Sequence, residues 1–353
     1  MRRCLSVATE DPGTIMKAIT LEKPGNFAVG NAPMPVAPGA DEALIRIHRV
    51  GICGTDLHAF AGRQPFFSYP RRLGHELGVE VLEAGRNVRH IVAGDRCAVL
   101  PYVNCQQCSA CLRGKTNCCQ KLSVLGVHAD GGMCEYLTVP ARLLYPSSQL
   151  SFDQLALIEP LAIGAHAVRR ADIQSGEWAL VVGAGPIGLA TAQFAELAGA
   201  QVMVLDVNTR RLDFCREQLG VRHCLSASQP PLAGLLERTG EELSTAVFDC
   251  TGNKGSMEQS FHYVAHGGRL TFVGLVQDEI RFHDPEFHRR ELTLLATRNA
   301  TSDDFQLVMQ AIESGRVNVT PWITHRCAFD DFLETFPIWN QPGTGVVKGV
   351  VEF

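Results

Sequence analysis

The sequence predicts an α/β protein in two parts: a doubly wound parallel sheet and a smaller, mainly-β unit. Three observations predict it. The glycine-rich turn Gly183-Ala184-Gly185-Pro186-Ile187-Gly188 follows an apolar run and opens a helical one. Strand-like and helix-like segments alternate around that turn, from about 157 to 293. Upstream, from about 16 to 156, short β-like runs sit between Gly and Pro turns. At 353 residues the chain is long enough for two units with a core each.

In the first stretch, Ala43 to Val50 alternates apolar with polar over part of its length, as a half-buried strand does. Val79 to Gly85 is a second such run, ending in a glycine turn, and Pro33, Pro35 and Pro38 interrupt regular structure earlier. In the second stretch, Trp178 to Val182 is continuously apolar, as in a strand covered on both faces. A helix from Ile187 to Ala198 and a strand from Gln201 to Leu205 follow, with further strands at Ala246–Asp249 and Arg269–Val273. This rhythm means βαβ units and a parallel sheet. The third stretch, 294–353, holds a helix from Ser302 to Glu313 and a last strand from Val346 to Phe353. It is too short to stand alone and is expected to pack back on the first. The expected division is therefore 16–156 with 294–353, then 157–293, with 1–15 as an N-terminal extension.

Composition narrows the function. Hydrophobic residues are 46% and charged residues 20%, the balance of a globular chain. A net charge of −5 without a basic stripe argues against a nucleic-acid partner, which demands clustered Lys and Arg. No apolar run is long enough to span a membrane. Arg2 and Arg3 precede no apolar segment, and Glu10, Asp11 and Pro12 arrive too early for a signal peptide. The expected compartment is the reducing cytoplasm, where thirteen cysteines need another explanation than disulfides.

The glycine turn fits G-x-G-x-x-G in a Rossmann context of strand, turn and helix. Gly183 permits the tight turn, Gly185 the approach of a pyrophosphate, and Gly188 close packing of helix on strand. Pro186 and Ile187 open the helix, whose free N–H groups and dipole favour phosphate. Asp206 ends the next strand about 20 residues on, where a carboxylate accepts ribose hydroxyls and repels a 2′-phosphate. That argues for NAD over NADP, although Arg210 and Arg211 are near enough in sequence to hold such a phosphate. Thr251 and Val273, close after two of the strands, are placed with the cofactor, as is Arg298. The bland alternative is a glycine turn in a domain that binds no nucleotide.

Cys105, Cys108, Cys111 and Cys119 are spaced C-x2-C-x2-C-x7-C. Four thiolates on a short loop close a tetrahedral shell around a structural zinc and supply folding energy to a lobe (about 100–122) with little core. Cys118 offers the same donor as Cys119, and spacing does not choose between them. An iron–sulfur cluster and free buried thiols are the alternatives.

Cys53 in G-I-C-G-T-D-L-H, His75 and Glu76 in G-H-E, and Glu159 in I-E-P are each competent zinc ligands. Singly, each has an ordinary structural reading: a core thiol, a turn histidine, a carboxylate at a helix start. Taken in order with the cysteine loop and the glycine turn, these motifs resemble the zinc-containing medium-chain dehydrogenase/reductase superfamily, over nearly the whole chain from about residue 16. The resemblance implies a GroES-like β unit and two zinc ions per chain, one catalytic and one structural. It implies that Cys53, His75 and a carboxylate hold the catalytic ion, with that role shared between Glu76 and Glu159. Thr55 and His58 match the proton relay. Zinc would act as a Lewis acid on the substrate hydroxyl, and the alkoxide would pass hydride to the nicotinamide. One departure stands out: Gly78 comes a residue earlier than the family's G-H-E-x-x-G, and Val79 takes the glycine's place.

The runs Q-P-F-F-S-Y-P-R, P-Y-V-x-C-Q-Q-C, T-N-C-C and D-P-E-F-H are similar to a bacterial branch acting on L-galactonate or L-idonate. The expected substrate is therefore a hexonate such as L-galactonate, L-gulonate or L-idonate, with a neutral polyol or sugar second. The loop 64–72, His128, Arg298 and Asn299 are expected at the cleft, with Arg298 or Arg63 for a substrate carboxylate. Arg298 meeting the cofactor instead is an equal reading. A zinc-free quinone reductase and a non-catalytic NAD-binding sensor are the competing classes. The family commonly forms homodimers or homotetramers, with Arg269–Val273 or its neighbour as the expected pairing edge.

Overall fold

A computed structural model of the chain describes residues 15–65, 67–341 and 343–353. Residues 1–14 of the expected extension, and Phe66 of the cleft loop, lie outside these. The N-terminal strands are β1 (Ile15–Lys23), β2 (Asn26–Pro33), β3 (Glu42–Ile52), β4 (Glu76–Ala84), β5 (Arg96–Val99), β6 (Tyr102–Val103), β7 (Ser123–Val124), β8 (Tyr136–Pro140) and β9 (Leu144–Pro146). Between them lie α1 (Gly54–Phe60) and α2 (Ser109–Leu112), followed by α3 (Phe152–Ala156) and α4 (Ile158–Ala171). Then come β10 (Trp178–Val182), α5 (Pro186–Leu197), β11 (Gln201–Asp206), α6 (Thr209–Gln218), β12 (His223–Ser226), α7 (Leu232–Thr239), β13 (Ser244–Asp249), α8 (Lys254–Gln259) and β14 (Val264–Phe272). The chain closes with α9 (Asp284–Arg289), β15 (Thr293–Ala296), α10 (Ser302–Glu313), β16 (Ile323–Ala328), α11 (Phe332–Trp339) and β17 (Lys348–Glu352).

Six strands form one parallel sheet in the order β12-β11-β10-β13-β14-β15. That is the Rossmann order, with its switch point between β10 and β13, where the carboxyl ends of the strands leave a crevice. Strands β10 and β11 carry buried side chains almost throughout, because helices cover both faces. The sheet extends through β15 to Ala296, and β15 is one of its two edges, the other being β12.

The second large sheet runs β16-β17-β3-β4-β5-β9, with β8 on β3, and is antiparallel except between β16 and β17. The final strand thus inserts between β16 and the early strand β3. Its core gathers Ile45, Ile47, Val50, Leu77, Val79 and Val81 from β3 and β4 with Phe332, Phe336 and Val351 from the chain's end. The displaced glycine has a packing reason. A Cβ on Gly78 would meet the Phe152 carbonyl oxygen at 2.2 Å, so β4 needs a glycine where α3 crosses it. Opposite, the register shifts between Ile47 and Arg49, and the intervening His48 stacks on Phe152 at a 4.0 Å centroid distance. Val79 is fully buried.

Candidate active site

Helix α1 begins at Gly54, with Cys53 as its N-cap and the Asp56 carboxylate accepting the Cys53 N–H at 2.9 Å. That bond fixes the Cys53 backbone at the end of β3. Across the sheet, Gly51 lies opposite Glu76 on β4. A Cβ at Gly51 would strike Glu76 Oε2 at 2.1 Å, so the glycine makes room for the carboxylate. Gly74, at φ +93°, turns the chain so that His75 enters beside it. Donor atoms of Cys53, His75 and Glu76 all lie within 4.8 Å of one another. His75 is 5% and Glu76 0% exposed.

This donor set fits a zinc ion, with one thiolate, one imidazole and one carboxylate. A second sign is that His75 Nδ1 and Asp56 Oδ1 are both buried without a hydrogen-bond partner among the described residues, 3.9 Å apart. A carboxylate facing the outer nitrogen of an imidazole is the arrangement that orients a metal-ligating histidine. Burial works against charge on His75, yet Cys53 and Asp56 outweigh it and hold its pKa well above the ordinary value. The pocket is thus strongly electronegative, as a cation site is.

Glu159, in the first turn of α4, is buried but outside this three-donor group. Its carboxylate accepts the Tyr102 hydroxyl in a short hydrogen bond. Burial raises the Glu159 pKa, offset in part by His75. Glu76 has its own partner: Lys348 Nζ reaches its two oxygens at 2.7 and 2.8 Å, and the Ile52 carbonyl at 3.1 Å. Tyr102, Lys348 and Asp56 went unmarked in the sequence reading. Lys348 had a signal, a lone cation in the apolar run Val346-Val347-Lys348-Gly349-Val350-Val351. Tyr102 had none beyond its place in P-Y-V.

Thr55 is half-buried and His58 more open, three residues apart on one face of α1. Burial, then the charge of Arg63, lowers the His58 pKa below 6.5. His128 Nδ1 accepts the Val124 N–H at 3.1 Å, which leaves its proton on Nε2. Burial, then Arg298 and Arg71, lowers its pKa. Arg63 offers its carbonyl to Gln277 at 2.8 Å, a bond between the two units. Asn299 sits at φ +54° in the left-handed region.

In the cysteine loop, sulfurs of Cys105, Cys108, Cys111 and Cys119 also lie within 4.8 Å of one another, whereas Cys118 is exposed and outside the group. Cys108 stands 3.5 Å from Cys111 and 4.0 Å from Cys119. A tetrahedron with Zn–S of about 2.3 Å has an edge of about 3.8 Å, so this cage suits a single ion better than a cluster, whose ligands stand further apart. Backbone N–H groups of Cys105 and Lys121 point at Cys119 Sγ, at 3.2 and 3.3 Å. Those of Cys111 and Gln120 hold the Cys108 thiol down to about 6.

At the carboxyl ends of β10, β11 and β13 a cavity of about 580 Å³ is lined by Gly183, Gly185, Asp206, Arg211 and Thr251, with Asn253 and Tyr263. Pro186, Ile187 and Gly188 continue into α5 instead, and Val273 and Arg298 are not on this wall. Gly183 has φ +97°, and a Cβ on Gly188 would meet the Gly183 carbonyl oxygen at 1.7 Å. A Cβ at Gly185 would find no protein atom nearer than 4.0 Å, so the bare backbone there faces open space, the cradle a pyrophosphate fills. Asp206 already accepts Ala184 N–H at 2.6 Å and Asn208 N–H at 2.7 Å. Its carboxylate therefore shapes the glycine turn, and each oxygen keeps a lone pair for a ribose hydroxyl.

Residues 39–149 match the family described as alcohol dehydrogenase GroES-like domain, and 186–314 match zinc-binding dehydrogenase. An L-galactonate-5-dehydrogenase of Escherichia coli K12 is 44% identical, over 96% of this chain and 99% of its own. A sorbitol dehydrogenase of Ovis aries is 32% identical over 93% of this chain and 94% of its own. The RspB structure of Escherichia coli CFT073, complexed with NADH, superposes with a TM-score of 0.90 at 28% identity, covering 97% of this chain and 100% of that one.

Proposed function

The chain belongs to the zinc-binding, GroES-like alcohol dehydrogenase family, and on that premise we propose that it oxidises a secondary hydroxyl of a hexonate, with NAD as hydride acceptor. It is a dehydrogenase acting on a CH–OH group. The observation that carries the chemistry is the convergence of Cys53, His75 and Glu76 with Asp56 behind the imidazole. The sugar-acid substrate is supported by the likeness to the L-galactonate-5-dehydrogenase.

Cys53, His75 and the carboxylates would hold zinc, which would supply a Lewis acid for the substrate hydroxyl, and the glycine turn would hold NAD as the hydride acceptor. The chain's own side chains do the rest. Asp56 keeps His75 Nδ1 protonated and so turns the other ring nitrogen toward the ion. Glu76 and Glu159 share the carboxylate role: Glu76 completes the three-donor group, and Glu159 stands beside it with Tyr102 on one oxygen. Lys348 balances the charge of Glu76, and both side chains are buried. Thr55 accepts the proton of the substrate hydroxyl as it gives up its own, and His58, one turn along the same face, takes that proton on and passes it to solvent. Because burial and Arg63 disfavour its charged form, His58 is neutral and ready to accept.

Gly183, Gly185, Pro186, Ile187 and Gly188 receive the pyrophosphate at the turn and the helix start, Asp206 the ribose, and Arg211 and Thr251 further contacts of the cofactor, with Val273 and Arg298 beyond that wall. Arg298 or Arg63 takes the substrate carboxylate, with His128 Nε2–H as a further donor. The second zinc belongs to Cys105, Cys108, Cys111 and Cys119. The open edge at β15 is the surface through which two copies would pair their sheets, giving a homodimer or a larger even assembly.

The test is reduction of NAD with a panel of hexonates, polyols and simple alcohols, with and without a zinc chelator. Turnover of a hexonate that the chelator abolishes is the expected result. Turnover of polyols alone would favour the second reading, for which the likeness to a sorbitol dehydrogenase speaks, and would remove the carboxylate role from Arg298 and Arg63. Binding of NAD without turnover of anything would leave a sensor.

A further inference from the structure

Asn117 lies inside the four-cysteine loop, between Cys111 and Cys119, and is 2% exposed. Its amide group donates to two acceptors far away in sequence: His166 Nε2 at 3.1 Å and the carbonyl of Arg298 at 2.8 Å. His166 Nδ1 lies 2.9 Å from Asp304 Oδ2. The carboxylate can only accept, so Nδ1 carries the proton and Nε2 is free to accept from Asn117. Asp304 also takes Arg169 Nε at 2.8 Å and the N–H and hydroxyl of Thr301, each at 2.8 Å. Asn117, His166, Thr301 and Asp304 are all buried, so this is a polar network within the protein rather than a surface contact; Asn117 takes part through its amide N–H groups alone, its Oδ1 having no partner among the described residues.

The network ends on a particular turn. Residues 297–300 leave the carboxyl end of β15, the side of a parallel sheet on which ligands bind. The turn is not a default conformation, since Asn299 is at φ +54°. Asn117 holds it at the Arg298 carbonyl, and Thr301 with Asp304 holds it at the start of α10. The cysteine loop is thereby wired to the turn by one amide group.

We propose that Asn117 is a positioning residue that couples the four-cysteine loop to the 297–300 turn, so that retention of the loop's metal and affinity for the dinucleotide are linked. This rests on the reading of the chain as a zinc-containing, NAD-linked dehydrogenase. Linkage of this kind is reciprocal: if an ordered loop tightens NADH binding, bound NADH lowers the population of the open loop by the same factor.

The experiment uses the intact holoenzyme. It is exposed to iodoacetamide with and without saturating NADH, and alkylation of Cys105, Cys108, Cys111 and Cys119 is followed by peptide mass spectrometry. Exposed Cys118 serves as the internal control, alkylating at one rate in both samples. NADH is expected to slow alkylation of the four loop cysteines by roughly fivefold or more. Asn117→Ala is expected to remove that protection and to weaken NADH, by fluorescence titration, by a similar factor, with both zinc ions still present at the start. Asn117→Asp keeps the shape, loses the donating amide, and is expected to behave alike should the alanine variant fold poorly. Bound NADH without protection in the parent enzyme, or full protection in both variants, overturns the coupling alone. Failure of the parent enzyme to bind NADH at all overturns the cofactor reading on which it rests.

Discussion

The ammonium of Lys348 meets both carboxylate oxygens of Glu76, at 2.7 and 2.8 Å, with the two side chains 2% and 0% exposed. Burial opposes charge on Lys348, but Glu76 together with Cys53 and Glu159 outweighs it and holds its pKa above the ordinary value. A buried pair of this kind is costly to break from one side, because the remaining charge has neither water nor partner. Lys348→Met is therefore expected to lower stability by roughly 3 kcal/mol or more in urea denaturation. A loss below about 1 kcal/mol, the range of an exposed pair, would mean that water reaches Glu76.

Cys53 is the one thiolate of the candidate catalytic group. Cys53→Ser is expected to bring zinc from two ions per chain to one and to abolish turnover, with NADH affinity by fluorescence titration close to that of the parent. Retained turnover would take zinc chemistry out of the account.

Asp206 accepts two backbone N–H groups and faces the dinucleotide cavity. Asp206→Ala removes a ribose acceptor and loosens the glycine turn together. NAD affinity is expected to fall roughly ten- to a hundredfold, the weight of one or two hydrogen bonds to a charged group, and NADP affinity much less. Equal losses for the two would show that the carboxylate acts only on the turn.

The cysteine loop separates two neighbours. Cys119→Ser is expected to cost one zinc per chain and to lower the melting temperature. Cys118→Ser, at an exposed position, is expected to change neither. Metal analysis of the two variants decides it, and the reverse pattern would move the ligand to Cys118.

His58 carries the pH prediction. Its pKa in the folded chain is lowered from 6.5, first by burial and then by Arg63. The folded state thus binds this proton more weakly than the unfolded one, and protonation opposes the fold only as pH drops below 6.5. For turnover, the acid limb of kcat is expected to have its midpoint below 6.5, as the relay fills with a proton. His58→Asn is expected to erase that limb and lower kcat roughly a hundredfold. An unchanged profile would place the relay elsewhere.

What was legible in the sequence follows the reach of each signal. Trp178–Val182 and Ser302–Glu313 stand in the structure with the bounds read from their periodicity, because a fully covered strand and a two-faced helix write their environment into adjacent residues. The four cysteines were legible for the same reason, since a loop that closes on one ion keeps its ligands close in sequence. The partners of the site were not. Tyr102 and Glu159 are 57 residues apart, Asn117 and Arg298 181, and Glu76 and Lys348 272. No local pattern encodes such pairs; the pairing of β17 with β3 creates one of them, and the meeting of β6 with the start of α4 creates another. The displaced glycine was visible as an oddity, but its cause, the Phe152 carbonyl, was not.

The insertion of β17 beside β3 has a consequence for how the protein comes into being. Translation delivers Glu76 first and its countercharge 272 residues later, so a nascent chain carries an unneutralised carboxylate while the whole six-stranded sheet emerges between them. The early strands cannot close their sheet until the last ones arrive, and the candidate metal pocket stays unfinished until then. Assembly of the candidate site is in this way postponed until the strands of the parallel sheet have been made.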